Sequence, residues 1–306
     1  MLGKILSRLI TGKPRYRSAP KIEISSVISY EDYINIANDE LRTDLINLIF
    51  EKKLALDSSK QFAYNGYCYV FKAFVDFIVD YDYAYKVDNI LMPNWRERLA
   101  CPVCHLNNRM RAAVHIFRLE TQANENAKIY ITEQTTILCK LFQQSYKNTC
   151  GSEYLGELVR RGSSNSNGIR NEDLTNLSFN SNRFDAILSF DVLEHIPNYK
   201  KALEECYRCI KPGGSIFISA PFELASKKNI MRAYLCQAGG LVHLLPPEYH
   251  GDPINPEGCL CFYHFGWDIL DDLREVGFSD AKALLYWSKE FGYLGGEQLI
   301  LVAQKE

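Results

Sequence analysis

No apolar run in the chain approaches the ~18–20 residues that a membrane-crossing helix needs. Neither sign of charge is in excess: 35 basic and 37 acidic side chains leave a formal net charge of -2. Such totals give nucleic acid no electrostatic foothold, so it drops out as an expected partner. No secretory leader is expected, because the apolar stretch at residues 2–10 is short and no clear cleavage site follows it. The ten cysteines are therefore expected as reduced thiols in a cytoplasmic protein. Four of them, Cys139, Cys150, Cys206 and Cys209, fall within expected strands and helices and read as small core residues.

The most telling absence is local. The segment KIYITEQTTILCKLF, Lys128 to Phe142, has the form of a strand followed by a helix, yet the turn between them holds no glycine. In dinucleotide sites a glycine-rich turn lets the backbone approach a pyrophosphate closely. Its absence argues against a nicotinamide-dependent oxidoreductase.

The sequence divides into three parts. Residues 1–60 are expected as a helical N-terminal region. Within it Leu2, Ile5, Leu6, Leu9 and Ile10 recur at helical spacing, with Lys4, Arg8 and Lys13 on other faces. Such a stripe suits contact with a membrane surface through residues 1–13, or packing on the protein's own domain, which is its commoner use. Residues 22–60 carry apolar side chains at i, i+3 and i+4 and read as helix. Residues 61–120 are rich in aromatics, contain Cys68, Cys101 and Cys104, and end in a linking helix. From 121 to 306 short apolar runs alternate with helical stretches, at 128–132, 148–152, 168–171, 184–190, 214–220, 281–287 and 298–303. That alternation marks βαβ units and an α/β fold with a mostly parallel sheet.

The richest stretch is residues 171–222. There FDAILSF reads as a buried strand, IPNYKKALEECYRCI as an amphipathic helix, PGG as its stop, and SIFISAPF as the next strand. The elements FDAILSFDVLEHI and IKPGGSIFISAPF, in this order and spacing, resemble the class I S-adenosylmethionine-dependent methyltransferases. The resemblance covers about residues 125–305. It implies a Rossmann-like sheet of seven strands, mostly parallel with the last antiparallel, and S-adenosylmethionine as cofactor.

That cofactor carries no phosphate, so its demands on the first turn differ. Its amino-acid end offers an ammonium and a carboxylate. Thr132, Glu133 and Gln134, with Thr135 and Thr136, supply side-chain acceptors and donors where backbone usually serves. Glu133 is expected to face the ammonium; capping of the following helix is the alternative use of the same residues. Glu153 lies 20 residues beyond Glu133, after the expected second strand. A carboxylate at that spacing suits a ribose diol. Tyr154, next to it, is placed with the cofactor as well. By the resemblance, Asp173 and the backbone of Leu174 meet the adenine, and Phe190 and Asp191 lie near the adenosine or methionine end. Asp173 equally suits an N-cap.

Three histidines are candidate bases. His195 follows the fourth strand, and His250 and His264 lie in the long insertion 221–267 with Tyr249, Asp252 and Tyr263. Histidine titrates near neutrality and could take a proton from an acceptor, though each is also open to a structural role.

The CPVC segment, Cys101 to Cys104, resembles one knuckle of the zinc ribbon that precedes some methyltransferase domains. In the matching GYCYVF knuckle Phe71 stands where a fourth cysteine is expected, so a degenerate, metal-free ribbon is the expectation. The arginines of NWRERLACPVCHLNNRMR either pair with acids on the catalytic domain, meet an anionic substrate, or form a solvated face. The function expected is methyl transfer to a small-molecule or glycan-type acceptor; the alternative is a non-catalytic scaffold that has kept the fold. Nothing in the sequence speaks to oligomeric state.

Overall fold

The computed structural model describes residues 18–56 and 60–306. The stripe read at Leu2–Lys13 lies outside them. Along the chain run strand β1 (Ile24–Val27), helix α1 (Tyr30–Leu56), hairpins β2–β3 (Phe62–Cys68, Ala73–Val79) and β4–β5 (Tyr85–Val87, Ile90–Met92), the short helix α2 (Trp95–Arg98) and helix α3 (Asn108–Glu120). Then come β6 (Lys128–Ile131), α4 (Ile137–Ser145), β7 (Asn148–Gly151), β8 (Phe184–Phe190), α5 (Tyr199–Cys209) and β9 (Ile210–Ser219). Short strands β10 to β15 lie between Ile230 and His264, followed by α6 (Asp268–Val276), β16 (Lys282–Ser288) and β17 (Tyr293–Gln304). No helix among the described residues is long and apolar enough to cross a membrane.

One sheet of seven strands, in the order β1-β16-β17-β9-β8-β6-β7, organises the chain. β7, β6, β8 and β9 are mutually parallel, and β17 runs antiparallel to both β9 and β16. The inner strands are apolar without alternation because both faces are covered: Ala186 to Phe190 of β8 are all buried. On one face α5 and α6 set Leu203, Cys206, Leu270 and Leu273 against Ile187 and Ile216. On the other, α3 and α4 set Val114, Phe117, Leu138 and Phe142 against Ile129, Leu188 and Phe217. The linking helix α3 is thus part of the layer that covers the sheet. A third apolar cluster joins Phe77, Trp95, Leu99 and Cys101 of the hairpin region to Leu294 of β17.

The irregular first half of β9 needs its glycines. Gly213 has φ +79°, and a Cβ on Gly214 would sit 2.8 Å from the Asp185 carbonyl oxygen.

Two expectations are corrected. Residues 24–27 are strand, not helix: β1 pairs antiparallel with β16, Val27 opposite Ala283, and closes the far edge of the sheet. Residues 168–171 form no strand beyond two isolated bridges, a parallel one from Asn171 to Glu153 and an antiparallel one from Arg170 to Ser164. Their backbone groups are taken locally. The Asn165 side chain accepts from the amides of Asn167 and Ile169, and the Gln134 amide group holds the Gly168 carbonyl and the Arg170 amide.

Candidate functional site

Strand register decides where the site falls. Ile131 stands opposite both Gly151 and Leu188, and Phe190 opposite Ser219. The residues just after these positions therefore emerge at one rim, the carboxyl edge of the parallel strands, where ligands of open α/β sheets bind. A cleft of about 1430 Å³ opens there. Its wall includes Thr132, Glu133, Glu153, Asp173, Phe190 and His195. Tyr154, Leu174, Asp191 and His250 also reach it, whereas Gln134 and His264 do not.

Side chains hold the glycine-free turn together. Gln134 straps it to residues 168 and 170, and its own amide donates to the Ser152 carbonyl at 3.0 Å. Thr136 caps α4 by accepting from the Cys139 amide at 3.1 Å, as the capping alternative required. Thr135 gives both its amide (2.8 Å) and its hydroxyl (2.7 Å) to Glu153 Oε1.

Glu133 has a different environment. It is 8% exposed, and its Oε2 accepts from the Thr132 hydroxyl at 2.7 Å and from the Phe190 amide at 3.5 Å. Its Oε1 is buried with no partner. An unpaired buried carboxylate oxygen is costly, and burial pushes the carboxyl up to about 8, against the lowering effect of Thr132. Burial raises Glu153 as well, partly offset by Thr135. Two carboxyls thus stand at one rim, each raised by burial.

Asp173 accepts from the Thr175 amide (2.8 Å) and hydroxyl (2.7 Å) on one oxygen, which makes a local turn cap of it while it borders the cleft. Leu174 and Phe190 are buried apolar walls, and Tyr154 is 59% exposed at the mouth.

Asp191 is occupied by the N-terminal region. Arg96 Nη2 donates to Oδ1 at 2.6 Å, Arg109 Nη1 reaches Oδ2 at 3.0 Å, and the Ser219 hydroxyl donates to Oδ1 at 3.1 Å. Glu97 braces both guanidiniums from the other side, at 2.5 Å to Arg96 and 2.7 Å to Arg109. Of the three readings open for these arginines, pairing with the catalytic domain is the one the structure shows for Arg96 and Arg109.

The far end of the cleft gathers imidazoles and carboxylates. Glu194 and His195 sit on a 3-10 turn after β8, and His250 comes from the insertion. His195 Nδ1 lies 2.8 Å from the Leu260 carbonyl, so it carries the proton and donates. His250 Nε2 lies 2.9 Å from Glu248 Oε1, which His264 Nε2 also approaches at 3.2 Å. Glu194 and Glu248 flank His250 and push it up to about 9. Glu194 is fully buried, and neither of its oxygens has a hydrogen-bond partner. Sequence reasoning named His195 and His250 and passed over Glu194 and Glu248. The signal was adjacency: one acid precedes His195 directly and the other precedes His250 by two.

The three thiols of the hairpin region also converge. Cys68 Sγ and Cys104 Sγ are 3.7 Å apart, and all three sulfurs lie within 4.8 Å of one another. The Phe71 amide donates to Cys68 Sγ and the Cys104 amide to Cys101 Sγ, each at 3.4 Å. Hydrogen bonds from Cys104 and Cys68 hold Cys101 well below the usual thiol range. Neither His105 nor His115 joins the group among the described residues; His115 stacks on Tyr69 at 3.6 Å.

Residues 134–218 match the family model described as a methyltransferase domain. That match begins inside the rim turn and ends in β9, so the carboxyl ends of β7 and β8 lie within it. Residues 134–218 carry a methyltransferase-domain signature, of the class that uses S-adenosylmethionine. An 82-residue stretch is 38% identical to the ubiquinone biosynthesis O-methyltransferase of Coxiella burnetii, covering 26% of this chain and 32% of that protein. A 40-residue stretch is 48% identical to the mitochondrial enzyme of the same name from Dictyostelium discoideum, covering 13% of this chain and 12% of that one. These matches thus span a third or less of the length of the relatives. An S-adenosylmethionine-dependent methyltransferase from Mesorhizobium loti superposes with a TM-score of 0.38 at 14% identity, over 63% of this chain and 98% of that one. The cofactor of the methyltransferase domain is S-adenosylmethionine. The rim residues suit it chemically: the orphaned Glu133 Oε1 asks for a cationic donor, which an amino-acid ammonium is.

Proposed function

We propose that the protein transfers a methyl group from S-adenosylmethionine to an oxygen of a small-molecule or glycan-type acceptor in this cleft. The observation that carries the reading is the buried, unpartnered Glu133 oxygen at the rim of β6, with Glu153 at the adjacent strand end. Glu133 binds the cofactor's ammonium and ionises as it does so. Glu153 already spends Oε1 on Thr135 and turns its other oxygen to the ribose hydroxyls. Phe190 and Leu174 keep water from the adenosine. When bound, S-adenosylmethionine supplies the methyl group on a positively charged sulfur. The chain's main task is alignment, because positioning alone is worth ~7–11 kcal/mol in such a displacement. At the acceptor end the Glu194–His195–His250 group eases removal of the acceptor's proton. The choice of oxygen as acceptor atom is supported by the O-methyltransferase relatives.

Calorimetry with S-adenosylmethionine tests the binding half. Glu153→Gln keeps an acceptor for Thr135 but presents a donor where the ribose hydroxyls also donate. Losing charge-assisted hydrogen bonds of ~1.5–3 kcal/mol each should weaken binding about 100-fold. Unchanged affinity in this variant would remove Glu153 from the cofactor site, and no binding by the parent protein would remove the proposal.

A further inference from the structure

Glu194 is the least satisfied ionisable group in the cleft. It is 0% exposed, both its oxygens lack hydrogen-bond partners, and two imidazoles face it without bonding to it. His195 Nε2 stands 3.6 Å from Glu194 Oε1, and His250 Nδ1 stands 3.5 Å from the same oxygen. The three ligand atoms all lie within 4.8 Å of one another.

The far side of each ring explains which nitrogen is bare. The Leu260 carbonyl takes the proton of His195 Nδ1, leaving the Nε2 lone pair pointing at Glu194. The Glu248 carboxylate accepts from His250 Nε2, which turns His250 Nδ1 toward Glu194. Two imidazole nitrogens and a carboxylate without a hydrogen-bond partner thus converge on one point. A cation there, a second proton on His250 or a metal ion, would satisfy all three. A histidine whose distal N–H is held by a carbonyl or carboxylate is the usual form of a metal-ligating imidazole. The two carboxylate–imidazole spacings agree: metal–ligand bonds of ~2.0–2.2 Å in a tetrahedral shell give ligand–ligand edges of ~3.3–3.6 Å.

We propose that Glu194, His195 and His250 bind a divalent transition-metal cation of the zinc and iron class at the acceptor end of the cleft. Two imidazoles and one carboxylate suit that class better than magnesium, which prefers an all-oxygen shell. Three protein ligands leave a position open to the cleft, as in catalytic rather than structural sites. The inference rests on the methyl-transfer reading and deepens it. An acceptor hydroxyl that enters the open position loses its proton to water. Its oxygen then forms the bond to the methyl carbon while the carbon–sulfur electron pair stays on sulfur, leaving a neutral thioether and a methyl ether. Metal coordination lowers the pKa of a bound hydroxyl by several units, so neither histidine has to act as base.

Co2+ is the probe, because its spectrum distinguishes ligand types and so separates this site from the Cys68–Cys101–Cys104 thiols. Chelator-treated full-length protein is titrated with Co2+, followed by visible and near-ultraviolet absorption, beside Glu194→Gln and Glu248→Gln. The parent is expected to gain d–d bands from a site of nitrogen and oxygen ligands. Glu194→Gln should weaken that site at least ~100-fold, and Glu248→Gln, which only orients His250, ~10–100-fold. Circular dichroism checks folding, and His250→Ala in the insertion is the second ligand variant if Glu194→Gln does not fold. Bands of thiolate-to-cobalt charge transfer alone, equal in parent and variants, would overturn the site. So would the absence of any Co2+ binding, which would leave a proton on His250 as the cation between Glu194 and Glu248. S-adenosylmethionine titrated into the same proteins keeps the two ideas apart. Cofactor binding without Co2+ binding sinks the metal site alone, and Co2+ binding without cofactor binding sinks the methyltransferase reading alone.

Discussion

Glu133→Gln should raise the melting temperature of the ligand-free protein and at the same time weaken S-adenosylmethionine binding. Burial lifts the Glu133 carboxyl from an ordinary 4.5 to about 8 in the folded chain. Below about 4.5 the group is neutral folded and unfolded, and its burial is cheap. Above that the unfolded chain gains by ionising and the folded chain does not, so stability falls as pH rises until about 8. At pH 7 the gap of two to three pKa units amounts to about 3 kcal/mol. Glutamine has nothing to ionise and escapes this cost, which for a chain of this size should appear as a few degrees of melting temperature. The same residue gains on binding. A cofactor ammonium beside Oε1 favours the carboxylate, so association near pH 7 should release about one proton from the protein. Affinity should then climb with pH between ~6 and 7.5, by up to about tenfold per unit. Calorimetry in two buffers of different ionisation enthalpy reads the proton directly. A variant that melts lower than its parent, or one that binds the cofactor as well as its parent does, would show that Glu133 is only a structural neighbour of Thr132.

The parts of the fold that were legible were those whose side chains answer to their own strand or helix. FDAILSF reads as an inner strand because burial on both faces demands an unbroken apolar run, and YKKALEECYRC as a helix because Ala202, Leu203, Cys206 and Cys209 fall on its buried side. β1 was not legible. ISSV carries only two apolar residues in four, and what makes it a strand is β16, more than 250 residues away. GIRN at 168–171 misled for the opposite reason: its composition allows a strand, but its backbone groups are divided among the Gln134 and Asn165 side chains and single bridges to Glu153 and Ser164. In the site, Glu133 and Glu153 were found through their spacing after two strands, and both lie on the cleft wall. Glu194 was invisible as a site residue because in VLEHI it reads as one polar residue in an apolar turn. Only the arrival of His250 from the insertion reveals that it has no partner of its own.

Asp191→Ala should be the most destabilising of the substitutions at the cleft, with a loss of about 3 kcal/mol. The residue follows β8 directly at φ +56°, a backbone region that aspartate and asparagine tolerate better than alanine. Its side chain is the point at which α2 and α3 are fastened to the sheet, through Arg96 at 2.6 Å and Arg109 at 3.0 Å. Removing it leaves two guanidiniums in a mostly buried place with Glu97 as their shared counter-charge, and an unpaired buried charge costs far more than the pair contributes. Asp191→Asn separates the causes. Asparagine keeps the backbone conformation and an acceptor for Arg96, so its smaller loss measures the charge. The pH dependence has the opposite sign to that of Glu133. Burial pushes the Asp191 carboxyl up, but Arg109 and Arg96 outweigh it and hold the group well below the ordinary carboxylate range. The stability it lends is complete above the unfolded value, ~3.9, and drains away as pH falls below that toward the folded one. The parent should therefore lose stability on acidification more steeply than Asp191→Asn does, and the two denaturation midpoints should converge at low pH. A cofactor contact predicts something else: an S-adenosylmethionine affinity that collapses while the ligand-free melting temperature stays put. Urea denaturation of the ligand-free proteins between pH 7 and pH 3 distinguishes the two, and equal midpoints for parent and Asp191→Ala at pH 7 would mean that the N-terminal region is not fastened through this aspartate.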